Sequence, residues 1–315
     1  MSDKCYSTFV ADHIYYDFIA LLNSWRYYEH KYPLKVYAGG ALSQDKIRAI
    51  EKHCEVIVDD YGTKQEYKTR FMFKYMVLSK HMAEHELCID ADTLFLSNLD
   101  HLFDHIEQGK LVVAKENFGD LVHSIYNSTE DIESIAQALV PYIGFDTAKN
   151  FNSSTTSKGY NGGFLGLNRS KHQALLDKVV ELLRSDLDFK NDPVINNEQY
   201  TMCFLVNLMN IDRVELSQTQ WMNTWSLHKH PKKILQLENG KFSLYNLKDN
   251  QIDEKVNFYH FTGGLTYKDD RGNLSSAKPY MLKDPAKTDI VEHIFYENFE
   301  NPALLLYEHF LNKGI

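Results

Sequence analysis

The sequence contains no C-x-x-C pair, no long apolar run and no excess of basic residues. The four cysteines, Cys5, Cys54, Cys88 and Cys203, are scattered, and three lie in or beside apolar runs. They read as reduced, mostly buried thiols of a reducing compartment, not as a disulfide framework. A chain of 315 residues buries enough apolar surface to fold without such staples. No apolar stretch approaches the roughly 20 residues that span a bilayer. Met1-Ser2-Asp3-Lys4 is not a basic segment leading into an apolar one, so no secretory signal is read there. The expectation is a soluble, cytoplasmic protein with no transmembrane segment. Lys and Arg number 34 against 43 Asp and Glu, a net charge of −9. That balance argues against a general nucleic-acid binder, which needs a basic face. It leaves room for a small phosphate ligand held locally with the help of a metal. No G-x-x-x-x-G-K-[ST] occurs, and Gly162 to Gly166 does not fit G-x-G-x-x-G. P-loop and nicotinamide chemistry are therefore poor readings. No internal repeat, low-complexity tract or clear linker is found, which favours one domain.

The first third alternates strand and helix patterns. Strands are expected at Cys5 to Val10, Leu34 to Ala38, Glu55 to Val58 and Leu87 to Ile89. Between them, helices are expected at Ile14 to Tyr28, Gln44 to about His53 and Tyr67 to about His85. This order predicts an α/β fold, a mainly parallel sheet with helices on both faces. Ligands of such sheets bind outside the carboxyl ends of the strands. The ends to inspect are Ala11-Asp12-His13, Gly39-Gly40, Asp59-Asp60 and Asp90-Ala91-Asp92. Further on, Leu111 to Ala114 and Tyr160 to Asn168 read as strands. Lys171 to Arg184, Glu198 to Met209 and the tail from Asp289 read as helical. Residues 117–158 read as an irregular or partly helical excursion.

The strongest local signal is Glu86 to Leu96, an apolar strand running into Asp90 and Asp92. Two like charges at a strand end are costly unless a cation joins them. Mg²⁺ and Mn²⁺ commonly bridge carboxylates and substrate phosphates. Structural capping is the competing explanation. Asp186-Leu187-Asp188 has the same spacing but follows Arg184-Ser185 at a polar helix end, and reads as a solvated face.

Asp90 to Leu96 resembles the D-x-D segment of nucleotide-sugar glycosyltransferases with the GT-A fold. The resemblance is nearest to glycosyltransferase family 8, the retaining group that includes glycogenin and bacterial galactosyltransferases. Further matches follow in order along residues about 4 to 280. Tyr67 to Tyr75, with Arg70 and Lys74, resembles the basic helix before that strand. Tyr160-Asn161-Gly162-Gly163-Phe164-Leu165 resembles the Asn-Ser/Ala-Gly strand that lines the sugar pocket. Asn197-Glu198-Gln199 resembles the Asp-Gln pair, Trp221-Met222-Asn223 the Trp-Asn segment, and Phe258 to Gly263 the His-x-x-Gly segment. Lys278-Pro279-Tyr280 resembles Lys-Pro-Trp. Glu198 stands where relatives usually have Asp, and Tyr280 where they have Trp. Fourteen residues separate Gly263 from Lys278, where relatives often have only a few.

The resemblance implies one Rossmann-like GT-A domain over residues 1–315. It divides into a nucleotide-binding part at about 1–115, an acceptor and sugar part at about 116–288 and a helical tail at about 289–315. It implies metal-dependent transfer from a nucleotide-sugar, a UDP-sugar by preference, to a carbohydrate or other hydroxyl acceptor, with retention. Asp90, Asp92 and His260 would hold Mn²⁺ or Mg²⁺. Ala11, Tyr16, Arg70, Lys74, Asp90, Ala91, Asp92, Gly162, Gly163, Gly263 and Lys278 would bind the donor. Glu198, Gln199 and Asn161 would hold the sugar or stabilise its cationic centre. Lys268 or Arg271 could replace Lys278 on the phosphates. Residues 264–277 are expected to form a mobile flap.

Two other readings stand beside this one. His81-Met82-Ala83-Glu84-His85 matches the H-x-x-E-H pattern of zinc peptidases. On a helix, His81 and His85 would share one zinc, with Glu84 as base. A GT-A-like protein that binds a sugar or partner without turnover is the second.

Overall fold

The computed structural model describes residues 3–39, 42–59, 67–116, 140–141, 144, 146, 159–184, 198–217, 220–223, 233–261, 265–268, 274–277 and 302–315. The chain opens with β1 (Lys4–Val10), a 3-10 turn at Asp12–Ile14 and α1 (Tyr15–Tyr27). Then come β2 (Leu34–Gly39), α2 (Gln44–Glu51), β3 (Glu55–Asp59), α3 (Tyr67–His81) and β4 (His85–Ile89). These match the expected alternation, except that the third helix stops at His81. After β4 lie β5 (Thr93–Phe95), α4 (Leu102–Glu107), β6 (Leu111–Glu116), β7 (Gly159–Asn168), α5 (Arg169–Arg184), α6 (Glu198–Leu208) and β8 (Arg213–Leu216).

Seven of these strands form one sheet in the order β3-β2-β1-β4-β7-β6-β8. The pairs β3-β2, β2-β1, β1-β4 and β6-β8 are parallel, whereas β7 runs antiparallel to both β4 and β6. The sheet is thus mixed but mostly parallel. Both faces are covered, so the inner strands are apolar on both sides. Leu87 and Ile89 of β4 enter one core with Phe18 and Leu22 of α1 and Phe103 of α4. Cys88 enters the other core with Val77 of α3, Leu176 of α5 and Val206 of α6. The period-2 alternation of a strand produces this division.

All four cysteines are free and buried. Burial pushes the Cys5, Cys54 and Cys88 thiols up, which keeps them protonated and unreactive. Among the described residues, no helix is long and apolar enough to cross a membrane.

Smaller sheets complete the fold. β9 (Trp221–Asn223) and β13 (Phe258–His260) join β5 in the order β5-β13-β9. A meander of β10 (Lys233–Glu238), β11 (Lys241–Lys248) and β12 (Gln251–Val256) stands between them in the chain. In the expected flap, β14 (Leu265–Lys268) and β15 (Leu274–Ala277) form an antiparallel hairpin. The last helix, α7 (Pro302–Leu311), packs on α1. Asn23 donates to the carbonyls of Phe310 and Gly314, and the Tyr307 hydroxyl donates to Asp17 at 2.6 Å. The excursion at 117–158 falls almost wholly outside the described residues, as do Asp186, Asp188 and the tail before Pro302.

Lys233 is the odd residue of the meander. Its Nζ lies 4.8 Å from the centre of the Tyr259 ring, and no hydrogen-bond partner is found among the described residues. Burial pushes its amine down to about 7 from 10.5. The unfolded chain then binds this proton more tightly than the folded one. The group therefore costs stability at neutral pH, and the cost fades as pH rises toward 10.5. Lys233→Met should be more stable than wild type at pH 7, with the gap narrowing by pH 9. Urea midpoints at the two pH values read this directly, and a constant gap would show that Lys233 keeps its proton.

Candidate metal centre

Two strand ladders bring the distant His260 to the Asp90–Asp92 pair. Asp90 follows β4, and its backbone N–H donates to the Gly163 carbonyl at 2.9 Å, continuing the β4-β7 pairing of Ile89 with Phe164. Asp92 precedes β5, and its carbonyl accepts from the Phe261 N–H at 2.8 Å. That bond continues the pairing of Thr93 with His260. The result places Asp90, Asp92 and His260 in one group, with ligand atoms all within 4.8 Å of one another. His260 Nε2 lies 3.0 Å from Asp92 Oδ1 and 3.7 Å from Asp90 Oδ2. The Asp90 side chain is 30% exposed, against 11% for Asp92 and 6% for His260. The group is therefore closed behind and open on the Asp90 side.

The first glycine-rich stretch of β7 shapes the floor. Val113 pairs with Leu165 and Lys115 with Tyr160, so two residues along β6 are matched by five along β7. The surplus is a bulge, which bends the strand and re-aims its side chains. Asn161, Gly162 and Gly163 lie in it. Asn161 Oδ1 accepts from the Gly163 N–H at 2.8 Å and lies 3.0 Å from His260 Nδ1. A Cβ on Gly163 would meet His260, and would lie 2.7 Å from Asp90 Oδ2 and 2.9 Å from Asn161 Oδ1. Gly163 is therefore required by space. Gly162 faces Gln199 of α6 instead.

Lys74 of α3 supplies a positive charge. Its Nζ lies 2.6 Å from Asp90 Oδ1 and donates to the Gly162 carbonyl at 2.6 Å. Buried charges persist only when paired, and Lys74 is such a partner for Asp90. Two carboxylate oxygens and an imidazole nitrogen form a ligand set suited to Mn²⁺ or a similar divalent ion. The spacing, the donor chemistry and the side-chain-free position at Gly163 all fit such an ion.

The other expected residues are placed as follows. Ala11 follows β1 and Tyr16 lies in the first turn of α1, 45% exposed; both stand at the carboxyl end of the strand beside β4. Ala91 is buried between the two aspartates. Arg70 lies on α3 and Glu198 opens α6, but neither side chain is described. Gly263 and Lys278 lie outside the described residues. The contact between Asn161 and His260 was missed from sequence, where they lie 99 positions apart and no local pattern links them.

The zinc-peptidase arrangement is not formed. The helix ends at His81, whose carbonyl accepts from Lys35 Nζ and Tyr37 Oη, each at 3.3 Å. The buried Glu86 takes the Ala83 N–H at 2.8 Å, turning the chain into β4. His81 Nε2 lies 3.0 Å from Asp59 Oδ2, whereas His85 is the first residue of β4. The two histidines therefore share no helical face. The Lys35–Glu86 pair, at 3.3 Å and largely buried, fixes this break in the helix.

No model of a known protein family matches the sequence, and no match is found among curated proteins. What fold and site define is a class: an α/β protein with a carboxylate–imidazole group, able to hold a divalent cation, at the carboxyl edge of its sheet.

Proposed function

We propose that the protein is a metal-dependent glycosyltransferase of the GT-A type, moving a sugar from a UDP-sugar to a hydroxyl acceptor with retention. One observation carries the reading. Side chains and backbone from five motifs that resemble family 8 in order also meet in space: Lys74, Asp90 with Asp92, Asn161 to Gly163, Gln199 and His260. They do so where a mostly parallel sheet presents its ligand-binding edge.

A bound divalent ion supplies Lewis-acid stabilisation of the diphosphate leaving group. Asp90, Asp92 and His260 would hold it, with Asp90 on the open side. Lys74 adds a second positive charge beside Asp90, where it can turn to a phosphate oxygen as a charge-assisted donor. Gly162 and Gly163 let donor and backbone approach closely. Gln199, lying over Gly162, and its neighbour Glu198 are the groups for the sugar. The acceptor would be met by residues about 117–158 and 264–277, the stretches least like the family.

The test is a screen of nucleotide sugars with Mn²⁺ for donor hydrolysis, which needs no acceptor. Mn²⁺-dependent release of UDP from one UDP-sugar is the expected result. Binding of the donor without turnover in any acceptor mixture would favour the non-catalytic reading. No binding and no turnover would overturn both.

A further inference from the structure

We infer that Asn161 is a positioning residue for the cation site: it holds His260 in one tautomer, so that Nε2 faces the metal. The inference rests on the cation-binding part of the functional reading, and it needs neither a nucleotide nor a sugar.

One hydrogen-bond donor at the site has a single possible role. The Gly163 N–H can donate and cannot accept, and it points at an Asn161 side-chain atom 2.8 Å away. That atom is therefore the carbonyl oxygen, which fixes the orientation of the amide. The same oxygen lies 3.0 Å from His260 Nδ1. An oxygen without a proton can only accept, so Nδ1 carries the hydrogen. In the neutral ring the lone pair is then on Nε2, and Nε2 faces Asp92 Oδ1 at 3.0 Å and Asp90 Oδ2 at 3.7 Å. A lone pair aimed at two carboxylates is the arrangement that a divalent cation completes.

Burial strengthens this assignment. Asn161 is 1% exposed and His260 4%, so their contact is shielded from water and the ring has little freedom to flip. At that depth Asn161 serves His260 better than it could a sugar. The bulge in β7 has a matching purpose. It places the Asn161 side chain and the Gly163 N–H on one atom and leaves space at Gly163 for the imidazole. Partners of this kind orient metal-bound histidines generally, and their loss typically costs about 10–100-fold in metal affinity.

The experiment compares Asn161→Leu and Asn161→Asp with wild type. Mn²⁺ affinity is measured by calorimetry without nucleotide, and the His260 Nδ1–H resonance is followed in ¹⁵N-histidine-labelled protein loaded with diamagnetic Cd²⁺. Asn161→Leu should weaken Mn²⁺ about 10–100-fold and lose the protected Nδ1–H signal. Asn161→Asp keeps an acceptor at the same place and should restore both to near wild type. If Asn161→Leu does not fold, Asn161→Ala takes its place with the same expectation. Equal Mn²⁺ affinity in all the proteins, or an Asp variant as weak as the Leu variant, overturns the role of Asn161. A wild type that binds no Mn²⁺ or Cd²⁺ overturns the cation site beneath it. Failure of the sugar-transfer screen alone leaves the inference standing, because no arm of this experiment uses a donor.

Discussion

Asp92→Asn should nearly abolish Mn²⁺ binding while the fold survives. Asp92 is the more buried of the two carboxylates, and its Oδ1 lies 3.0 Å from His260 Nε2. The amide keeps the shape and removes the charge. Taking one partner from a buried charge pair costs roughly 3–5 kcal/mol, which is on the order of 100- to 4000-fold in affinity. Asp90→Asn should act in the same direction but less strongly. Asp90 is more exposed, and Lys74 already neutralises one of its oxygens. Without metal, Asp92→Asn should not lower stability, because it relieves repulsion between neighbouring carboxylates, whereas Asp90→Asn also removes the partner of the largely buried Lys74 and should cost some stability. Calorimetric titration with Mn²⁺, and with UDP in the presence and absence of Mn²⁺, gives the readout. Unchanged affinities in both variants would mean that the two aspartates only shape the strand end. A loss of stability as large as the loss of affinity would mean the same.

The parts of this structure legible in sequence are those with a local period. The strands and helices from β1 to β4 follow from apolar spacing, and Asp90 and Asp92 follow from charge placed against that spacing. The meander at 233–256 went unread, although its turns carried a signal. Asn239-Gly240 links Glu238 to Lys241, and Asp249-Asn250 links Lys248 to Gln251. All four turn residues have positive φ, the geometry of two-residue hairpins that favours Asn, Asp and Gly. The surrounding strands are half-polar because much of the small sheet is partly exposed, and the apolar pattern is weak there. The strands β5, β9 and β13 have three residues each, too short for a period. Yet their register seats His260 beside Asp92. The end of α3 at His81 is set by Lys35, Tyr37 and Glu86, residues from other strands. A helical pattern continuing to His85 could not reveal them.

Gly163→Ala should disable the site and cost stability, whereas Gly162→Ala should do little of either. The difference lies in what surrounds each Cβ. At Gly163 the new methyl meets the His260 ring, Asp90 Oδ2 at 2.7 Å and Asn161 Oδ1 at 2.9 Å. His260 and Asn161 are buried and bonded to each other, and Asp90 is tied to Lys74. None of the three can step aside without breaking the ligand group. Overpacking of this kind typically costs about 1–3 kcal/mol, and moving the ring draws Nε2 away from Asp92. At Gly162 the nearest atoms belong to the Gln199 side chain, at 3.2 to 3.3 Å. The Gln199 Cβ is fixed to the α6 backbone, so the contact is relieved by a shift of a few tenths of an ångström between α6 and β7, far less than Gly163 would demand. Urea unfolding and Mn²⁺ titration of the two variants make the comparison. Gly163→Ala is expected to lose about 1–3 kcal/mol and most of its Mn²⁺ affinity, with Gly162→Ala close to wild type in both. If Gly163→Ala binds Mn²⁺ normally, the imidazole has more room than the bulge gives it here. The close packing of His260 against the β7 backbone would then not be what fixes the ligand group.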